Sequence, residues 1–196
     1  MLILASGSAI RAEMLRNAGV SFAVDPATVD EGEIRDAMLS QGSEAIDIAK
    51  ALAVAKAQQI AAKYPDDLVL GADQVLVCEG RLFEKPTSTS DAADQLRVLR
   101  GKQHELISAV ALFEENKLVW QTAERVQLRM RDFSDSFLKK YVTSQGDDLL
   151  TTVGSYKLEG AGAQLFTRVE GDYFSVLGLP LLEVLAILRT KNIGVT

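Results

Sequence analysis

An acid set into the end of an unbroken apolar run constrains this chain more than any other feature. Leu68, Val69 and Leu70 lie between Pro65-Asp66-Asp67 and Gly71, and Ala72, Asp73, Gln74 and Val75 follow. A short continuous apolar run bounded by turn residues predicts a buried strand, which places Asp73 at its carboxyl edge. An ionised carboxylate beside a hydrophobic core is costly unless a cation or a donor meets it, so Asp73 calls for a partner. Two readings stand: a metal ion carrying a phosphorylated substrate, or an ordinary turn residue, since glycine-x-aspartate after a strand is common.

The chain has 196 residues, enough for one well-buried core, and a single domain over residues 1–196 is expected. Apolar residues make up 47% and charged ones 24%, as in ordinary soluble domains, which argues against disorder and fibrous repeats. A net charge of -6 argues against a nonspecific nucleic-acid coat, which needs a basic surface, but leaves local phosphate binding open. The sole cysteine, Cys78, has no cysteine to pair with, which suits a reducing cytoplasm. Met1 to Ala5 is apolar but lacks a basic leader and stops at Ser6-Gly7-Ser8. No run approaches the roughly 20 apolar residues that cross a bilayer. A cytoplasmic protein with no membrane partner is expected.

Taken in order, Leu2 to Ala5 predicts a strand, and Ser8 caps a helix whose apolar positions Ile10, Met14, Leu15 and Ala18 run to Gly19. At the joint, Ser6, Gly7, Ser8 and Arg11 combine free amides, two hydroxyls and a guanidinium. That is either a phosphate cradle or a capped helix with a surface arginine. Ser21 to Val24 predicts a second strand. Asp30, Glu31 and Glu33 then form an acidic loop, either solvated or a magnesium site in which Glu31 joins Asp73. From the cap Ser43 to about Lys63 the spacing predicts a helix with Ile48, Ala51, Leu52, Ala55 and Ile60 inward and Lys56 on its surface.

Val75 to Val77 and Arg81 to Phe83 flank Cys78-Glu79-Gly80 as a hairpin. Lys85 follows, held extended by Pro86, and serves either a phosphate or only the surface. Ser90 caps a helix from Asp91 to Leu99, ended by Gly101. His104, the only histidine, reads as a structural hydrogen-bonding residue rather than a general base, since no nucleophile accompanies it. Leu106 to Phe113 and Val119 to Met130 predict a long pair of strands turned at Asn116-Lys117, with Val126, Leu128 and Met130 on the covered face. Ser134 caps a helix through Phe137, Leu138 and Tyr141, and a glycine-rich corner spans 154–162. Leu165 to Val169 is a last strand, and Leu182, Leu185 and Leu188 a last helix. The pattern is α/β with parallel and antiparallel neighbours.

The motifs also occur in a known order: Leu-Ala-Ser-x-Ser-x-x-Arg at 4–11, Val-Asp-Glu at 29–31, Ala-Lys-Ala at 55–57 and Gly-Ala-Asp-Gln at 71–74. Lys85-Pro86, Leu99-Arg-Gly-x-x-His104, Gly154-x-Tyr156, Glu159-Gly160 and Gly178-Leu-Pro-Leu181 complete the series. So ordered, the chain resembles the Maf family of nucleoside triphosphate pyrophosphatases. The resemblance implies a long twisted mixed β-sheet flanked by helices, in two lobes with a central cleft. It implies hydrolysis of a nucleoside triphosphate between the α- and β-phosphates with a divalent cation, magnesium or manganese. Asp73 matches the catalytic acid and, with Glu31, the metal site. Ser6, Ser8, Arg11, Lys56 and Lys85 match positions that hold the phosphates.

Gln74 and Glu159 resemble the branch acting on 7-methyl-GTP rather than on dTTP and UTP, and a carboxylate at Glu159 suits the N1 and N2 hydrogens of guanine. Three positions depart from the pattern. Ile10 stands where that branch often has an aromatic residue, Ala12 where a second arginine is usual, and Ala9 in place of a proline. A lost arginine contact is worth about 1.5 to 3 kcal/mol. The expected partner is a nucleoside triphosphate and not nucleic acid, and a homodimer stays open. The rival reading is a nucleotide-binding regulator of cell division and septum formation that does not depend on catalysis.

Overall fold

In chain order the elements of the structure, a computed structural model describing residues 1–194, are β1 (Leu2–Leu4), α1 (Ala9–Asn17), β2 (Ala23–Val24), α2 (Glu31–Ser40), α3 (Ala45–Ala61), β3 (Leu68–Cys78), β4 (Arg81–Phe83), α4 (Thr89–Leu99), β5 (Gln103–Glu114), β6 (Lys117–Met130), α5 (Asp135–Gln145), β7 (Phe166–Glu170), α6 (Tyr173–Val176) and α7 (Leu181–Thr190). Three short 3-10 turns, Gly146–Thr151, Val153–Ser155 and Ala161–Leu165, lie between α5 and β7. The sheet is open and mixed, in the order β2-β1-β3-β5-β6-β7, with β4 beside β3. The expected α/β class is what forms. β1 runs parallel to β2 and to β3, with Leu2 opposite Leu68 and Leu4 opposite Leu70. Among the described residues no helix is long and apolar enough to cross a membrane.

The chain forms two compact units, whose boundaries fall within β3, β5 and β6. The first comprises Met1–Gln74, Ile107–Glu124 and the chain from Asp172 onward. Every side chain of β1 and of 68–73 is buried, as strands covered on both faces must be. Leu68, Leu70 and Ala72 join one core with Met14 and Leu15 of α1 and Val184 and Leu188 of α7.

On the other face β3 meets α3 at Gly71. A Cβ there would stand 2.3 Å from the carbonyl oxygen of Ala53 and 2.7 Å from the amide of Ala57. Helix backbone lies directly on strand backbone, and Ala49, Ala53 and Ala57 form the buried stripe. The predicted Ala51 and Ala55 are only half-buried. This contact also corrects the position of Asp73. Gly71 does not end the strand, because its missing side chain serves the approach of α3 and not a turn. β3 runs for 11 residues from Leu68 to Cys78, so Asp73 lies inside it rather than at its edge.

Other boundaries shift for local reasons. The acidic loop is a helix start: Asp30 caps α2, accepting from the amide of Glu33 at 2.9 Å, and Glu31 and Glu33 occupy the first turn, where the dipole favours acids. None of α2 is buried, so no apolar periodicity announced it. α3 starts after Glu44, with no side-chain cap from Ser43. α4 is capped by Ser88 rather than Ser90. α7 buries Leu181, Val184 and Leu188 and leaves Leu182 exposed.

The second unit comprises Val75–Leu106 and Arg125–Gly171. Its β3–β4 hairpin forms where the sequence predicts it and turns at Glu79 and Gly80, both at positive φ. β6 alternates as predicted, with Val126, Leu128 and Met130 buried and Gln127 and Arg129 exposed, and β7 pairs along it antiparallel. Ser134 caps α5, and Cys78 is buried and free. The interior centres on His104 of β5, whose Nε2 lies 2.7 Å from the hydroxyl of Tyr156. Tyr156 meets Phe166 edge-on at 4.8 Å between ring centres. Gly154 turns the chain into this cluster at φ +78°, where a Cβ would stand 2.5 Å from Leu76.

Candidate active site

Successive side chains of a strand point to opposite faces, so Asp73 shares the α3 face with Gly71. Lys56 stands on α3 next to Ala57, one of the residues in backbone contact with Gly71. Its Nζ donates to Asp73 Oδ1 at 2.5 Å and pairs with Glu31 Oε1 at 2.8 Å. Glu31 is the first residue of α2, set there by the Asp30 cap. One ammonium thus holds two carboxylates from two separate elements. The Asp73 and Lys56 side chains are nearly enclosed, while Glu31 is exposed.

Arg11 completes the group. It is buried, and the surface arginine the sequence allowed does not form. Its Nε donates to the carbonyl of Gly178 at 2.7 Å, and its Nη1 donates to the carbonyl of Ala72 at 2.9 Å and to Ser6 Oγ at 3.0 Å. Gly178 sits at φ +99°, and a Cβ there would press to 3.3 Å of Arg11 Nε. Ser6 Oγ also accepts from the amide of Ser8, and Ser8 Oγ caps α1 by accepting from the amide of Arg11. Both serine oxygens therefore hold the turn while their hydroxyl protons stay available.

These charges act on one another. Burial pushes the Asp73 carboxyl above the usual carboxylate range, opposed by Lys56 and Arg11 and reinforced by Glu31. Burial pulls the Arg11 guanidinium down, opposed by Asp73 and Glu31. A carboxylate with raised proton affinity is the better general base near neutral pH.

Of the predicted residues, the first unit brings Ser6, Ser8 and Arg11 into one hydrogen-bonded turn and Glu31, Lys56 and Asp73 into one charge cluster, linked through the Ala72 carbonyl next to Asp73. Ile10 is half-buried on α1, and Ala12, where an arginine was the expectation, is buried in the core. Gln74 faces the opposite side of the sheet from Asp73. Its Nε2 donates to Ser108 Oγ at 2.9 Å and to the carbonyls of Ser175 and Val176 at 3.0 Å. Ser108 gives its own proton to Ser175 O, so all three partners are acceptors and the amide nitrogen has to face them. Lys85 and Glu159 belong to the second unit, where both are exposed, with Pro86 buried behind Lys85. His104 has the hydrogen-bonding role read from the sequence: burial lowers its pKa to about 4, leaving a neutral ring.

Three contributors carry no readable local signal. The carbonyls of Ala72 and Gly178 fix Arg11 through backbone alone, and Ser108 orients Gln74 from a distant strand. Gly178 does lie within the Gly-Leu-Pro-Leu motif, and its positive φ explains that glycine.

Among the described residues no group of three or more histidine, cysteine or acidic side chains could hold a metal. Glu31 and Asp73 nevertheless present hard oxygens to one point, the one the ammonium takes. That donor set fits magnesium or manganese, which commonly take one or two protein carboxylates and complete their shell with phosphates and water.

Compared with known proteins, residues 1–191 match the family described as Maf-like protein. A protein of Roseobacter denitrificans named nucleoside triphosphate pyrophosphatase is 48% identical over 191 residues, covering 97% of this chain and 96% of that one. One of the same name from Ruegeria sp. (strain TM1040) is 45% identical over 192 residues, covering 98% of this chain and 96% of its own. A Rhizobium meliloti protein named 7-methyl-GTP pyrophosphatase is 41% identical over 189 residues, covering 96% of this chain and 95% of its own.

Proposed function

The chain belongs to the Maf family, and on that premise we propose that it hydrolyses a nucleoside triphosphate between the α- and β-phosphates, releasing monophosphate and pyrophosphate. The observation that carries this reading is Lys56 held between Asp73 and Glu31, with Arg11 anchored beside them. Water attacking a polyanion needs repulsion removed and a base beside it. Lys56 and Arg11 supply positive charge, and the Ser6 and Ser8 hydroxyls donate hydrogen bonds to phosphate oxygens. Asp73 takes the proton of the attacking water. Glu31 and Asp73 would hold magnesium or manganese, which neutralises phosphate charge when bound.

For the base we propose 7-methylguanine. Gln74 and Glu159 stand as in the branch acting on 7-methyl-GTP, and the Rhizobium meliloti relative bears the matching name. The lone Cys78 suits work in the cytoplasm. Pyrophosphate release with magnesium from a panel of 7-methyl-GTP, dTTP and UTP tests both parts. Asp73→Asn should lower turnover about 10²- to 10⁴-fold, the usual worth of a general base. A folded variant near wild-type turnover refutes the mechanism, and dTTP outrunning 7-methyl-GTP refutes the base.

A further inference from the structure

Lys56 has two claims on it. Its Nζ reaches Asp73 Oδ1 at 2.5 Å and Glu31 Oε1 at 2.8 Å, while the proposed reaction needs it on the phosphates. It is held from both directions. Its stem rises from α3 where helix and strand backbones touch, and only 12% of the side chain is exposed, so an ammonium there depends on anions rather than water. A divalent ion bound to those two carboxylates would sit about 2.1 Å from its oxygens, within a few ångström of the ammonium. Two cations so close in a poorly hydrated place repel strongly, so the carboxylates serve one at a time.

We propose that Lys56 is a built-in stand-in for the metal: it neutralises Asp73 and Glu31 while no metal is bound, and metal entry displaces it toward the phosphates. The inference rests on the metal-dependent reading above and adds the exchange. Binding then becomes a single swap, in which the dication that accompanies a triphosphate takes the carboxylates and the released ammonium takes the phosphates. Neither the carboxylates nor the lysine is left unpaired at any point. Free metal without nucleotide gains less, because it evicts an ammonium that has no phosphate to go to.

The test is manganese binding to the nucleotide-free chain, followed by the electron paramagnetic resonance of free Mn²⁺, for wild type, Lys56→Met and Lys56→Arg. Removing the competing ammonium in Lys56→Met should tighten Mn²⁺ by at least about tenfold, the scale of one lost like-charge neighbour, while Lys56→Arg stays near wild type. Equal or weaker binding by Lys56→Met, with wild type binding measurably, overturns the exchange and leaves the metal reading standing. No Mn²⁺ bound by either protein overturns both. A second measurement needs no variant. Acetic anhydride labelling of wild type, read by peptide mass spectrometry, should rise at Lys56 on adding Mn²⁺ and stay level at Lys50. Unchanged labelling at Lys56 overturns the exchange.

Discussion

Acidification should act on this protein through its single histidine. His104 is 2% exposed, its Nε2 engages the Tyr156 hydroxyl, and its Nδ1 has no partner among the described residues. A proton on that ring would add a buried charge and an N–H facing no acceptor, so its pKa falls from 6.5 to about 4 in the folded chain. The depressed folded value fixes the sign. The unfolded chain binds this proton first as pH drops, so the stabilisation is fully present above about pH 6.5 and is lost down to about pH 4. Integrated from pH 7 to pH 5, the difference in proton binding amounts to about 2 kcal/mol. Because no other histidine is present, its Cε1 proton resonance reports the titration alone. It should stay unshifted to below pH 5 in native buffer and titrate near 6.5 in urea. Urea unfolding at pH 5 and 7 should show the loss in wild type and lack that part in His104→Gln. A native resonance titrating near 6.5 refutes the buried neutral ring.

Gly71→Ala puts a methyl 2.3 Å from a backbone carbonyl that has no flexible end to move; stability should fall by about 3 kcal/mol, the upper range for overpacking, and a thermal midpoint like wild type contradicts the contact. Gln74→Glu turns a carboxylate toward two carbonyls and a hydroxyl oxygen. It should cost about 1–3 kcal/mol in urea unfolding, against about 1 kcal/mol for Ser108→Ala, and the reverse order would refute the orientation assigned to the amide. Gly154→Ala, strained by its positive φ and by Leu76, should destabilise the second unit by about 1–3 kcal/mol, read as faster amide exchange at Tyr156.

What could be read in the sequence was local. The Glu79-Gly80 turn, the Ser134 cap and the alternation along β6 depend on residues a few positions apart, and each stands where the pattern put it. What could not be read was set by distant chain. Gly71 looks like a breaker until α3 is laid across it, and the five alternate alanines from Ala49 to Ala57 give no clue which of them face a sheet. α2 has no buried residue and so no periodicity to find. Arg11 looked exposed because its partners are carbonyls 61 and 167 positions away. The motif residues of the charge cluster are legible through the family resemblance, while the hold of Lys56 on both carboxylates depends on where the fold sets α2 and α3.

The touching backbones at Gly71 work as a datum plane for the chemistry two residues further along β3. The height of α3 above the strand is set there by atoms that cannot be compressed, and Lys56 inherits that height when it reaches down to Asp73. Anything that shims the joint by one methyl lifts the ammonium off the carboxylate by a similar amount, and a misplacement of about 1 Å can cost on the order of 10²-fold in rate. A lesion without a charge, on a residue no substrate meets, would then be recorded in turnover as though the catalytic acid itself had been touched.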